Sequence, residues 1–194
     1  MDGSVITHGG VIMRTHYARL QTGFTLIELI IILAVLIIIT GIGIPASGRL
    51  LDSSQQAASV NNFATALAQA RYHAVMHSVR VILCPSTNQT SCTGGYDWQK
   101  GFISFVDDNR NRHRDNNEKL INVGQETHHL IGIQTSIGRQ RISFRATGDS
   151  PGSNTTFKFC PRSEGLKRKA LILSNTGRAR LAEKMPNGSP ITCI

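Results

Sequence analysis

The sequence predicts an α+β fold, one long N-terminal helix packed on antiparallel β-sheet, on three observations. Residues 24–44 form a 21-residue stretch with a single charge, Glu28. Residues 51–79 contain neither Gly nor Pro and repeat apolar side chains at helical spacing. After Arg80 the chain changes to short apolar runs divided by Ser, Gly, Asn and Pro, the pattern of strands and turns. Helix first and strands afterwards gives a segregated helix-and-sheet architecture.

Each element has its own reason. At helical rise the first stretch is about 30 Å long, the thickness of bilayer hydrocarbon. Residues 24–45 are therefore expected to form a transmembrane helix. Glu28 falls in its first turns, where a carboxylate is expensive and needs a partner. Gly41, Gly43, Pro45 and Gly48 weaken the helix that follows, so a bend or partial melting is expected there. Residues 46–80 read as an amphipathic helix whose stripe of Ala57, Val60, Ala64, Leu67, Ala68, Tyr72 and Val75 buries against sheet. The β-rich region is 81–194, with strands expected at 81–84, 101–106, 120–123, 130–134, 141–144, 156–160, 170–173 and 178–182.

Charge is concentrated at one end of the chain. The 194 residues carry a net charge of +9. From Arg139 onward there are 11 Lys and Arg against three Asp and Glu, while residues 24–138 are neutral overall. A basic region of this kind suits an anionic partner; the blander reading is solubility, or packing against an acidic neighbour. Its sharpest motif is Ser174-Asn175-Thr176-Gly177-Arg178-Ala179-Arg180. Gly177 permits a tight turn, and on a strand Arg178 and Arg180 project to one side about 7 Å apart, the spacing of successive phosphates along a nucleic-acid strand. Arginine binds phosphate bidentately and keeps its charge. Lys167, Arg168 and Lys169 sit on an expected hairpin turn, Arg139, Arg141 and Arg145 share strand parity, and Lys184 follows the last strand. No recognition helix, zinc finger or aromatic platform accompanies them, so contact is expected with the DNA backbone rather than with base sequence.

Three further constellations are weaker. Asp107, Asn109, Asn111, Asp115 and Glu118 fall at ligand positions of a twelve-residue calcium loop. The obligatory glycine position holds Arg112, and Arg110 and Arg114 add charge of the wrong sign, so a polar turn capped by its own side chains is the favoured reading. His73 and His77 lie one helical turn apart without a third ligand. His128 and His129 point to opposite faces if they sit in a strand. No cofactor or metal motif and no catalytic constellation is present in the sequence.

The segment Gly23-Phe24-Thr25-Leu26-Ile27-Glu28, leading into an apolar run that ends at Pro45, resembles the N-terminus of type IV pilin-like proteins. The resemblance implies a prepilin leader, residues 1–23, cut by a prepilin peptidase between Gly23 and Phe24, with Phe24 then methylated. It also implies that Glu28 pairs with the terminal amine of a neighbouring pilin subunit during assembly. Arg14 and Arg19 precede the apolar run, so the N-terminus is expected in the cytoplasm, with one pass through the inner membrane. Residues 2–12 hold no basic residue, which points to Met13 as the true start.

Farther on, Cys84-Pro85-Ser86, Cys92, Trp98 and Gly101-Phe102-Ile103-Ser104-Phe105-Val106-Asp107 with an Asn-rich turn look like the FimT/GspH group of minor pilins and pseudopilins. For Gly177, Arg178 and Arg180, similarity to the Gly-Arg-x-Arg element of FimT-type proteins implies DNA binding during natural transformation. The other branch of the group implies a structural or priming pseudopilin of type II secretion with no DNA contact. On the far side of a membrane, four cysteines suggest two disulfides. Cys84 and Cys92 bracket one loop, so pairing them is economical and leaves Cys160 with Cys193. A zinc site would want a CxxC spacing that the chain lacks.

Overall fold

A computed structural model describes residues 23–127, 131–163 and 165–193, with the side chains of residues 40–47 and 49 outside that description. The expected leader, the Met13 start and the His128–His129 pair therefore lie outside the described residues. The chain divides into two compact units, Met1–Gly43 and Ile44–Ile194.

One helix, α1, runs over Leu26–His77. Its start is capped. The Glu28 amide donates to Thr25 Oγ1 at 3.3 Å and the Leu29 amide to the Thr25 carbonyl at 3.2 Å, satisfying donors that a helix N-terminus leaves open. In the first unit every described side chain from Phe24 to Ile39 is exposed. Among the described residues no helix is long and apolar enough to cross a membrane. The weak point expected between Gly41 and Gly48 does not end the helix, which continues through it.

In the second unit α1 ends in a tight lock. Ser78 adopts φ 55°, its amide bonds the Val75 carbonyl at 3.3 Å, and the Val79 amide reaches back to Ala74 at 3.1 Å. This is the paired-bond motif of a helix C-terminus, here with serine in the left-handed position.

Eight strands follow: β1 Val81–Pro85, β2 Phe102–Val106, β3 Leu120–Gly124, β4 Ile131–Gln134, β5 Ile142–Phe144, β6 Thr155–Pro161, β7 Lys169–Leu173 and β8 Ala179–Ala182. They form two four-stranded antiparallel sheets, ordered β3-β2-β1-β5 and β4-β6-β7-β8. Both sheets bury apolar side chains against the second half of α1. Phe63 is at the centre, with ring centroids 4.6 Å from Phe157, 5.1 Å from Phe102 and 5.7 Å from Trp98. Trp98 is wholly buried, and its indole N–H donates to Thr135 Oγ1 at 3.2 Å, so its one polar atom is not orphaned. A second cluster of Ile82, Cys84, Ile103 and Phe105 occupies the opposite side of the first sheet.

The buried face of α1 differs from the expected stripe. Val60 and Leu67 are buried as anticipated, and Ala64 is half-buried. Tyr72, Val75 and Ala68 are exposed, and the contacts come instead from Phe63, Ala66, Ala70 and Ala74. Alanines lie all round this helix, so periodicity alone leaves its rotation undetermined by about a third of a turn.

Both disulfides form as paired in sequence. Cys84–Cys92 spans 5.6 Å between Cα atoms, and Cys160–Cys193 spans 6.1 Å. The second straps the C-terminal tail over the outer side of the second sheet. Lys158 Nζ donates to the Thr192 carbonyl at 2.8 Å, Arg168 Nη1 donates to the Ile191 carbonyl at 3.1 Å, and Ile191 is buried.

Candidate nucleic-acid interface

The Gly-Arg-x-Arg motif forms the turn between β7 and β8 and the start of β8. The Gly177 amide bonds the Ser174 carbonyl at 2.9 Å, and the Ser174 amide bonds the Arg178 carbonyl at 3.0 Å, closing the hairpin. Gly177 has φ 74°, a conformation that glycine reaches without penalty. It is also buried: a Cβ there would collide with the Gly148 carbonyl oxygen and lie 3.2 Å from Arg71 Nε. The Gly148 carbonyl accepts a 2.8 Å bond from Arg71 Nε on α1, and the Ser150 amide donates to the Asn175 carbonyl at 2.8 Å. The turn is thus fastened through the 145–150 loop to the helix.

β8 is an edge strand. Register places Arg180 opposite Ile172, and Leu181 opposite Leu171, whose side chain belongs to the core. Arg180 therefore lies on the side away from the core, and Arg178, two residues earlier, keeps that side. Both are exposed, and among the described residues no hydrogen bond or ion pair engages either guanidinium. Ala170, farther along the same side, is buried, whereas Arg180 is exposed.

The other cations separate into distinct groups. Lys167 and Arg168 precede β7, and Lys169 begins it. The Lys167 carbonyl accepts a 2.9 Å bond from Gln56 Nε2. Gln56 and Arg71 are fifteen residues apart on α1, about 22 Å along a helix axis. The Lys167–Lys169 cluster and the Arg178 turn therefore stand at opposite ends of the hairpin. Lys184, bridged to Pro190, lies on the Lys167 side of β8. Lys167, Lys169 and Lys184 have unengaged amines among the described residues, whereas Arg168 is spent on the tail.

Arg139, Arg141 and Arg145 do not act as one group. Arg139 bonds the Gly152 carbonyl and, at 3.5 Å, Asn154 Oδ1. Arg141 is half-buried, with its Nε enclosed and unpartnered. Arg145 grips Asp149 with two nitrogens. That grip, aided by the Thr147 hydroxyl, holds the Asp149 carboxyl at about 2.

Arg110 and Arg112, each exposed on the 107–118 loop, stand in the sequence only as charges of the wrong sign in a calcium-like turn. Arg110 and Arg80 line, together with Arg145, Ala146 and Thr147, an open pocket of about 560 Å³ at the Arg178 end. The signal available in sequence was three arginines alternating through one polar turn. His73 and His77 stack with ring centroids 4.3 Å apart. Burial first, then His77 and Lys119, lower the His73 pKa. Among the described residues no group of three His, Cys, Asp or Glu is placed to hold a metal.

An N-terminal helix whose second half is the spine of a two-sheet antiparallel head is the build of a pilin-like protein. Residues 59–177 match the family described as Type II transport protein GspH, and the chain belongs to that family, as a type IV minor pilin or pseudopilin of the FimT/GspH type. It is 28% identical over 166 residues to Pilin-like protein PilA1 of Thermus thermophilus, covering 83% of this chain and 98% of that one. The fold is similar to the crystal structure of the Pseudomonas aeruginosa type IV minor pilin FimU, with TM-score 0.51, 18% identity, and coverage of 71% of this chain and 92% of that one.

Proposed function

We propose that this minor pilin binds DNA through its phosphate backbone, at Arg178 and Arg180, and supports DNA uptake in natural transformation. The observation that carries the reading is the pair of unengaged, same-side guanidiniums on a hairpin locked by Gly177. Lys167, Lys169 and Lys184 extend the basic surface from the other end of that hairpin, and Arg168 contributes there less freely because of its tail contact. Arg139 and Arg145 serve mainly to hold loops, and half-buried Arg141 stands back from solvent.

The chain is made as a prepilin, cut between Gly23 and Phe24 by a prepilin peptidase, and held in the inner membrane by residues 24–44 until it joins other subunits. The exposed apolar side chains from Phe24 to Ile39 support a non-aqueous surrounding for this segment. Glu28 is the assembly residue.

A second reading, a structural or priming subunit of a type II secretion filament, is favoured by Leu181. It is 54% exposed on the β8 edge beside Arg180, which suits a contact with a neighbouring subunit. The two readings part in a binding assay of the full-length chain in detergent against a labelled duplex of random sequence. DNA binding predicts micromolar-range affinity that weakens steeply with salt. It also predicts that Arg178→Ala with Arg180→Ala removes most of the binding while leaving the thermal midpoint unchanged. Equal binding by wild type and that variant would refute the site.

A further inference from the structure

The 107–118 loop carries the spacing of a cation site turned inside out. Asp107 Oδ1 accepts the Arg112 amide at 3.1 Å. Glu118 accepts the Asp108 and Asp115 amides, each at 3.0 Å. Asp115 Oδ2 takes the side-chain amides of Asn109 at 2.6 Å and Asn111 at 2.9 Å. Asn109 and Asn111 in turn cap the backbone two residues on. Glu118 and Asp115 are thereby committed to the loop's own donors, while Asp107 keeps one oxygen, Oδ2, buried without a hydrogen bond and with Arg80 at 4.0 Å. Among the residues between them, Arg110, Arg112 and His113 are exposed.

Two of those residues are arginines in an unfavourable conformation. Arg110 has φ 62° and Arg112 φ 65°, a region that Gly and Asn enter with less strain. Strained non-glycine residues concentrate at functional sites, where the side chain is wanted despite its cost. Both side chains are exposed, and among the described residues neither guanidinium has a hydrogen bond or ion pair. Arg114 behaves differently: it reaches back to the Thr90 carbonyl at 2.9 Å and ties this loop to the one closed by Cys84–Cys92.

The loop also has the right address. Across the 560 Å³ pocket from Arg110 stand Arg145, Ala146 and Thr147. The same 145–150 loop lies beneath Gly177 and bonds Asn175, so Arg110 and the Arg178 turn share one end of the head. Two acids line the pocket as well. Asp107 is buried and has Arg80 at 4.0 Å, while Asp108 is exposed and would repel a polyanion there.

We propose that this loop is a second polyanion-binding element, in which Arg110 and Arg112 grip phosphates of the same strand that Arg178 and Arg180 hold. The proposal rests on the DNA-binding reading above and extends it to residues outside the Gly-Arg-x-Arg motif. The test is fluorescence anisotropy of a labelled random-sequence duplex with the full-length chain in detergent, over a series of salt concentrations. The pair Arg110→Gly with Arg112→Gly is expected to weaken binding about tenfold and to shrink the log–log salt slope by about 2, one for each phosphate no longer held. Its thermal midpoint is expected to hold or rise, because glycine relaxes both left-handed positions. The pair Arg110→Lys with Arg112→Lys is expected to keep most of the slope. Wild-type affinity and slope in the glycine pair, with binding still abolished in Arg178→Ala, Arg180→Ala, overturn the loop assignment and leave the hairpin reading intact. A collapsed slope in the lysine pair also overturns it, since shape rather than charge would then be acting. No salt-dependent binding by wild type removes both.

Discussion

Arg71 Nε donates a 2.8 Å hydrogen bond to the carbonyl of Gly148, the oxygen that fills the space a side chain on Gly177 would need. Helix, loop and hairpin turn meet at that oxygen. The position of Arg178 is consequently set by α1, more than a hundred residues earlier in the chain.

Gly177→Ala tests this junction. The substitution forces a left-handed φ on an L-residue and drives a methyl group into the Gly148 carbonyl. A loss of about 2–4 kcal/mol is expected in urea unfolding. DNA affinity is expected to fall with it, although no charge has been removed. A wild-type unfolding midpoint would mean that the turn is not locked.

The Arg145–Asp149 pair predicts an acid titration. Asp149 titrates at about 2 in the folded protein against an ordinary 3.8, because Arg145 and then Thr147 bond its charged form. The folded state therefore binds this proton less readily than the unfolded one. Stability from the pair is complete above the ordinary value and is lost as pH falls through about 2. Arg145→Ala is expected to return the carboxyl toward its ordinary value, read by carboxyl-carbon NMR.

His73 gives the opposite end of the pH range. Burial, His77 and Lys119 lower its pKa below 6.5, so the unfolded chain takes up the proton first. Stability is then expected to decline as pH drops below about 6.5, and His73→Gln is expected to flatten that decline between about pH 7 and 5. Denaturant midpoints across this range supply the measurement. Parallel curves for the two proteins would exclude His73 as the source.

Removing the Cys160–Cys193 bridge, with Ser at both positions, is expected to cost about 3–4 kcal/mol. The bridge closes a separation of 33 residues, and its loss restores loop entropy to the unfolded chain. The tail should also become sensitive to limited proteolysis, because Ile191 would no longer be held down. Resistance equal to wild type would show that Lys158 and Arg168 hold the tail unaided.

Much of the fold was legible because its signals are local. The runs around Ile82, Ile103 and Phe157 alternate or cluster between turn residues, and each expected strand has its counterpart within about one residue at either end. The rotation of α1 was not legible from its alanines. Phe63 held the missing information, since a large aromatic with Val60, Leu67, Ala70 and Ala74 at helical spacing marks the core side. At the site, the side of the strand that Arg180 takes follows from parity, while the exposure of Arg178, Arg180 and their neighbour Leu181 follows from the edge position of β8. The duty of Arg145 was open to inference, because Asp149 lies four residues on. The separation of Lys167–Lys169 from the turn depends on where Gln56 and Arg71 touch down, and such long-range pairings leave no local trace.

The hairpin that carries Arg178 and Arg180 is fastened by main-chain hydrogen bonds, by the Ser174 hydroxyl on the Arg178 carbonyl and by one steric lock, while the ion pair nearest to it, Arg145–Asp149, belongs to the loop beneath. Brine strong enough to strip away a polyanion would weaken that exposed ion pair and leave the hairpin's own bonds between neutral groups in place. Release by salt of a polyanion held as proposed would then need no refolding of the turn between one catch and the next.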